Sequence, residues 1–256
     1  MMRLSVIIPV YNERATLPRV LCAVLASLPQ VPKQIVIVDD GSSDGTREWL
    51  RENLGNIAQA TSLSLGADDR LILDETPGPA HEISILWHPT NRGKGAALKT
   101  GLSAASGDVI IIQDADLEYD PNDWAGMWDL IAERRVADVV YGSRFLGKPH
   151  RSLYFHHYIA NRFISLTFNL LHNQTLTDIE CCYKMFTRAV RDGLKLTCDD
   201  FGFEIEISAQ IARARRWRIY EIAVSYYGRT YAEGKKITWR DGLLALWYLL
   251  RFRFAA

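Results

Sequence analysis

The stretch 108-DVIIIQDADLEYDP-121 decides how the rest of the chain reads. Four aliphatic residues, Val109 to Ile112, run into Gln113 and then into Asp114, Asp116, Glu118 and Asp120. An uninterrupted apolar run of this length suits a central strand covered on both faces. Carboxylates crowded at its end repel one another, so that end is built to meet something positive, a cation or basic side chains. Asp114 and Asp116 are two residues apart, and in extended backbone they face the same way. Such a pair is a hard oxygen site suited to Mg²⁺ or Mn²⁺. A turn of solvated acids before Pro121 is the plainer alternative.

Strand and helix alternate on either side of this stretch. LSVIIPV (4–10) predicts a first strand ending at Tyr11-Asn12-Glu13, followed by a helix over 15–27. QIVIVDDGSSDGT (34–46) predicts a second strand closed by Asp39-Asp40, with Asp44 capping the helix TREWLREN. ISILWH (83–88) is a third strand, 91–106 an Ala-rich helix opened by glycine, 121–135 a helix, and DVVYGS (138–143) a fifth strand. This alternation predicts an α/β fold with a mainly parallel, Rossmann-like sheet flanked by helices. Ligands on such sheets lie beyond the carboxyl ends of the strands, where Asn12-Glu13, Asp39-Asp40 and Asp114-Asp116 all fall. Residues 55–82 break the rhythm and read as a surface insertion carrying a small hairpin.

Composition narrows the function classes. The 256 residues are enough for one large domain, and 30 acids balance 30 bases, which argues against a general affinity for nucleic acid. Four cysteines in no C-x-x-C spacing indicate neither a zinc site nor a disulfide framework, and fit a reducing compartment. The N-terminus reads as a strand rather than a signal peptide. No G-x-G-x-x-G follows the first strand, so a dinucleotide site is not expected. Arg92-Gly93-Lys94-Gly95 only faintly suggests a P-loop: His88 stands where its first glycine belongs and Gly95 replaces the Ser/Thr. Its reading divides between a glycine-led helix start and a loop whose amides approach an anionic ligand. A nucleotidyltransferase would need a triphosphate loop after the first strand, and PVYNERAT lacks one.

SVIIPVYNE, IVIVDDGSSDGT, NRGKGAA, QDADLEYDP and GSRF, in this order and spacing, resemble glycosyltransferase family 2, the inverting GT-A enzymes. The DADLEYDP wording is most similar to dolichyl- or polyprenyl-phosphate mannosyl- and glucosyltransferases. The resemblance implies a single GT-A domain over 1–256, with a nucleotide-sugar and metal half (1–145) and an acceptor half (146–256). It implies that Pro9, Tyr11, Glu13, Asp40, Lys94 and Asp114 bind the nucleotide of GDP-mannose or UDP-glucose. Asp114 and Asp116, joined by Gln113, would hold Mg²⁺ or Mn²⁺. Asp116, Arg144 and Asp178 would be catalytic. Arg144, Arg162, Lys184, Arg229 and Lys235 would hold the phosphate of a polyprenyl phosphate acceptor. The alternatives are a family 2 enzyme acting on a saccharide hydroxyl, or a non-catalytic sugar-nucleotide-binding relative.

In the second half, 177-TDIECCYKMF-186 resembles the family wording T-D-x-x-[ST]-G-[FY]-[KR], with Glu180-Cys181-Cys182 in place of the usual residues and Asp178 and Lys184 kept. FGFEIEI (201–207) is expected to bring Glu204 or Glu206 near the site, or else to be a plain helix face. The stretch 226–242, with Gly228, Gly234 and several bases, is expected to form a loop that closes on phosphates. Tyr154-Phe155-His156-His157-Tyr158 reads as packing rather than metal binding. The segment 239-WRDGLLALWYLLRFRF-254 is shorter than the ~20 apolar residues of a spanning helix, and is either a core helix or an interfacial amphipathic one. The expected location is cytoplasmic, with peripheral contact to the membrane.

Overall fold

The computed structural model describes residues 1–59, 63–65, 71–73, 81–152, 154–233 and 239–254. Its strands are β1 (Leu4–Val10), β2 (Lys33–Asp39), β3 (Leu63–Leu65), β4 (Leu71–Leu73), β5 (Glu82–Trp87), β6 (Val109–Ile112), β7 (Val139–Ser143), β8 (Lys184–Thr187) and β9 (Ile219–Ala223). Its α-helices are α1 (Leu17–Ala26), α2 (Thr46–Gln59), α3 (Lys94–Ala104), α4 (Trp124–Trp128), α5 (Phe155–His172), α6 (Arg188–Asp192), α7 (Phe203–Ala214) and α8 (Trp239–Phe254).

Seven strands form one sheet in the order β5-β2-β1-β6-β8-β7-β9. The order follows from where the apolar runs sit. β2 and β6 are buried at every position, as central strands must be, whereas the edge strands β5 and β9 are partly or fully exposed along their whole length. β1 pairs parallel with β2 and β6, and β2 pairs parallel with β5. The amino-terminal half is thus the parallel α/β sheet that the alternation predicts.

The other half adds a reversal. β8 runs antiparallel to both β6 and β7. Because it is inverted, the loop leading into β8, residues 177–183, meets the same edge as the carboxyl ends of its parallel neighbours. A four-residue strand with no hairpin signal before it gave the sequence no way to announce this.

Two local elements differ from expectation, and a hairpin and a cap agree with it. α2 continues to Gln59, into the expected insertion, and the expected hairpin is β3 with β4, antiparallel, lying beside α1 and α2. The helix expected over 121–135 is a 3₁₀ turn (Pro121–Asp123), then α4, then a π turn (Asp129–Glu133). Pro121 opens the 3₁₀ turn, where its missing N–H costs nothing, and Asp120 accepts from Asn122 N at 2.9 Å. At α2, Asp44 accepts from Thr46 N at 3.0 Å, the capping contact its position suggested.

α5, α7 and α8 pack together. α8 turns Ala245, Tyr248, Leu249 and Phe252 inward and Leu243, Trp247, Leu250 and Phe254 outward. α5 buries Ile164 and Phe168 and exposes Phe155, Ile159, Phe163, Leu166 and Leu170. Those outward residues recur every three or four positions, so each helix carries a second apolar stripe opposite its core face. No helix among the described residues is long and apolar enough to cross a membrane.

Candidate active site

The carboxyl edge of the sheet gathers the acids. Beyond β1 the chain turns at Asn12 and beyond β6 at Leu117, both non-glycine residues at positive φ (56° and 62°). Strained backbone of this kind costs roughly 1–3 kcal/mol and persists where the surroundings enforce it. At Leu117 it lies between Asp116 and Glu118, which both turn onto one guanidinium.

That guanidinium is Arg229. Its Nη2 lies 3.0 Å from Asp116, its Nε 3.2 Å from Glu118 and its Nη1 3.5 Å from Glu13. Its backbone N–H donates to Glu118 Oε1 at 2.9 Å. A second cation, Lys94, sits 2.8 Å from Asp114 and 3.6 Å from Glu204. The positive partner implied by the acid-rich strand end is therefore present as side chains.

It does not fully balance the acids. The Asp116 carboxyl is pushed up to about 7, first by burial and then by Asp114 and Glu118, while Arg229 pulls the other way. A nest in which one carboxyl resists ionisation is one a divalent cation would relieve. Among the described residues no group of three or more His, Cys, Asp or Glu side chains is arranged to hold a metal. The protein donors such a cation would meet at this edge are the two carboxylates of Asp114 and Asp116. This fits Mg²⁺ and Mn²⁺, hard ions that commonly take one or two carboxylates and fill the remaining positions with phosphate oxygens and water.

Several expected site residues lie elsewhere. Gln113 is fully buried; its Oε1 accepts from Tyr183 Oη at 2.6 Å and its Nε2 donates to Asp114 O at 2.9 Å. It is not placed to be a metal ligand, because strand alternation turns it away from Asp114 and Asp116. Lys184 is also fully buried, with Nζ donating to Ile179 O (3.1 Å), Cys181 O (2.5 Å) and Glu204 (2.6 Å). It secures the 177–183 loop and is not placed to receive an acceptor phosphate. Lys235 lies outside the described residues. Arg229, expected on the acceptor phosphate, stands on the acids instead.

Asp40 is 2% exposed and turns inward. It accepts from Arg92 N at 3.0 Å and Gly93 N at 2.9 Å, and its Oδ1 lies 2.6 Å from His88 Nδ1. Asp40 thus holds the 91–93 loop and is not itself open to a ligand. The same contacts use the amides of Arg92 and Gly93, and Ala96 N donates to Asp199 O at 3.1 Å. A Cβ on Gly93 (φ 97°) would stand 2.4 Å from that same Asp199 oxygen. The glycine is there for the close approach of the 198–200 backbone. Pro9 is half-buried within β1, and Tyr11 stands at its end, 38% exposed. Glu13 accepts from Thr16 Oγ1 at 2.7 Å.

In the second half of the chain, Arg144 follows β7 directly. Asp178, fully buried, takes its Nε at 2.6 Å and Nη2 at 2.7 Å, a two-pronged contact that fixes the plane of the guanidinium. Asp178 is therefore a positioning residue. Arg162, exposed on α5, reaches Thr177 O at 3.4 Å, one residue away. Glu221 anchors this loop by accepting from Thr177 N at 2.8 Å. Glu204 lies at the site's margin through Lys94, whereas Glu206 accepts from Thr197 N and Cys198 N and shapes the turn before α7. His156 and His157 lie against each other and Tyr154, as packing predicted.

One residue joins the two halves. The Tyr226 ring lies 5.1 Å from the Arg144 guanidinium, and its hydroxyl donates to Glu118 at 2.8 Å. The acid nest and the basic site are thus a single side chain apart. Neither Tyr226 nor Glu118 could be assigned from spacing, since 108 residues separate them.

The family model for glycosyl transferase family 2 matches residues 5–59 and 68–194, well over half of the chain. The chain belongs to this family. It is 27% identical over 235 residues to the undecaprenyl-phosphate 4-deoxy-4-formamido-L-arabinose transferase of Proteus mirabilis, and 29% identical over 237 residues to that of Salmonella paratyphi A. Each alignment covers 91% of this chain and 62% of the relative, so the chain spans under two thirds of their length. Two solved structures of glucosyl-3-phosphoglycerate synthase from Mycobacterium tuberculosis share the GT-A fold. One, with Mg²⁺ and UDP, has a TM-score of 0.67 at 16% identity, covering 98% of this chain and 79% of that one. The other, with Mn²⁺, UDP and glucosyl-3-phosphoglycerate, has a TM-score of 0.66 at 15% identity, covering 98% and 80%.

The raised Asp116 carboxyl yields a stability prediction. Its folded-state value, about 7, lies above the ordinary carboxyl value near 4. The cost of ionising it is absent below about pH 4 and complete above about pH 7. Asp116→Asn should therefore raise the metal-free melting temperature by about 2–6 °C at pH 8 and by less at pH 5. An unchanged or lower melting temperature at pH 8 would show that the nest holds no excess charge.

Proposed function

We propose that this protein is an inverting glycosyltransferase that moves a sugar from a nucleoside-diphosphate sugar to a polyprenyl phosphate. The observation that carries this reading is Tyr226, which touches both Glu118 of the acid nest and Arg144 of the basic site. A donor diphosphate drawn to the first and an acceptor phosphate drawn to the second would lie within reach of each other. The undecaprenyl-phosphate transferases to which the chain is similar support the acceptor class, and the UDP complexes that share its fold support the donor class.

The chemistry suits these residues. A sugar–diphosphate bond breaks with charge growing on the departing phosphate, and Mg²⁺ or Mn²⁺ held by Asp114 and Asp116 would supply stabilisation for that charge. Lys94 and Arg229 stand beside these acids and can meet the phosphates. An acceptor phosphate is already ionised near neutral pH and needs no base. It does need cations to hold it close to a second anion, and Arg144, oriented by Asp178, and Arg162 would supply them. Attack from the face opposite the diphosphate inverts the anomeric centre.

The apolar stripes of α5 and α8 fit the rest of such an acceptor. Arg162 lies on α5, among Ile159, Phe163 and Leu166, all about half-exposed. Arg251 and Arg253 sit in the last turn of α8. Exposed aromatic and aliphatic residues with arginines among them suit a membrane interface. On this reading the protein works at the cytoplasmic membrane face, with the lipid tail running along α5. It should float with anionic lipid vesicles, and Phe163→Glu with Leu250→Glu should abolish flotation; retained flotation would remove this surface from the account.

A second reading is favoured by Glu180. Burial pushes its carboxyl up to about 7 in the neighbourhood of Arg144, a value suited to a general base. A base is what a hydroxyl acceptor would require. The purified protein should be tested with a panel of sugar nucleotides, and with a short polyprenyl phosphate, the matching alcohol and simple sugars as acceptors, by product mass. Transfer to the phosphate alone is expected. Arg162→Ala should raise the acceptor KM roughly 10- to 100-fold, the loss of a charged hydrogen bond, and leave the donor KM nearly unchanged. Equal transfer to the alcohol, or transfer only to sugars, would establish the hydroxyl reading in its place.

A further inference from the structure

Arg229 occupies the acids in a way that bears on how a cation reaches them. Its guanidinium spreads over carboxylates from two strand ends, Glu13 after β1 and Asp116 and Glu118 after β6. The segment carrying it is fixed by its own backbone: Tyr227 N donates to Glu118 O at 2.8 Å and Arg229 N to Glu118 Oε1 at 2.9 Å, while Arg151 donates to Gly228 O at 3.3 Å and to Glu233 at 2.7 Å. The backbone is held, and the long side chain is the part able to change partners.

A guanidinium and a divalent cation cannot both sit against Asp116 without strong mutual repulsion at contact distance. We propose that Arg229 is the resident counter-ion of this nest and that a divalent cation enters by displacing it from Asp116. The displaced guanidinium then faces the diphosphate that fills the cation's remaining positions. The residue that blocks the empty nest becomes a ligand of the filled one. This inference rests on the donor-side reading above and names the order in which its parts engage.

Competition and cooperation leave opposite signs in two affinities. With no nucleotide present, removing the Arg229 charge should strengthen cation binding. With the cation saturating, the same change should weaken diphosphate binding. A merely structural arginine would produce neither the gain nor the crossing of signs. Couplings between sites are commonly 5- to 150-fold, so about tenfold in each direction is expected.

The test is Mn²⁺ titration followed by the electron paramagnetic resonance of the free ion, on the wild-type chain, Arg229→Met and Arg229→Gln, without nucleotide. Titration of UDP and GDP at saturating Mn²⁺ completes it. Circular dichroism melting selects whichever variant folds. Tighter Mn²⁺ binding that is lost again when Asp116→Asn is added, together with weaker nucleotide binding, is the expected result. Equal or weaker Mn²⁺ affinity in the folded variant, or a gain that survives Asp116→Asn, overturns the displacement. Mn²⁺ is read here without turnover, so this outcome is separate from the fate of the transferase reading, which the acceptor panel decides.

Discussion

Carboxylates placed side by side at the ends of buried strands repel, and the arrangement around them answers that repulsion. β1 and β6 are neighbours in register, so Glu13 beyond one and Asp114, Asp116 and Glu118 beyond the other arrive at a single edge. Lys94 reaches in from α3 and Arg229 from the segment after β9. Two cations face four acids, and burial first, then the charges of Asp114 and Glu118, hold the Asp116 carboxyl up against the pull of Arg229. A nest of this kind suits a small divalent ion whose coordination is completed by a ligand's oxygens rather than one bound for good by the protein alone.

The second half of the chain solves a different problem with the same edge. Inverting β8 brings Asp178 beneath Arg144, and a buried carboxylate on two guanidinium nitrogens fixes the plane of a side chain otherwise free to rotate. Lys184, at the start of β8, closes the loop above it by binding two carbonyls and Glu204. The consequence is division of labour: the buried ions set geometry, and Arg162, exposed on α5, is left to meet a ligand from solvent or from a lipid surface. The apolar stripes on α5 and α8 place that arginine among side chains that prefer to leave water.

The parallel core was legible because its strands are unbroken apolar runs closed by acids, a pattern that composition alone makes unusual. The placing of Asp114, Asp116 and Arg144 at the carboxyl edge was legible for the same reason, since each lies within four residues of the end of a strand. Gln113 was misplaced although alternation already turned it away from its two acidic neighbours. Lys184 was misplaced because a lysine in sequence carries no mark of burial, and only the inverted strand shows that it points inward. Arg229 was legible as a base near phosphates but not as a partner of Asp116, a contact spanning 113 residues. The apolar stripe of α5 was present in the spacing of Phe155, Ile159, Phe163, Leu166 and Leu170; the adjacent histidines drew the reading to one end of the helix.

The central claim is that Asp114 and Asp116 hold a divalent cation against a nucleoside diphosphate. Crystals grown with Mn²⁺ and UDP or GDP, with diffraction recorded at the manganese absorption edge, test it most directly. The account predicts one anomalous peak within coordination distance of both carboxylates and of the diphosphate oxygens. Bound nucleotide with no peak there, or a peak coordinated by other residues, would contradict it.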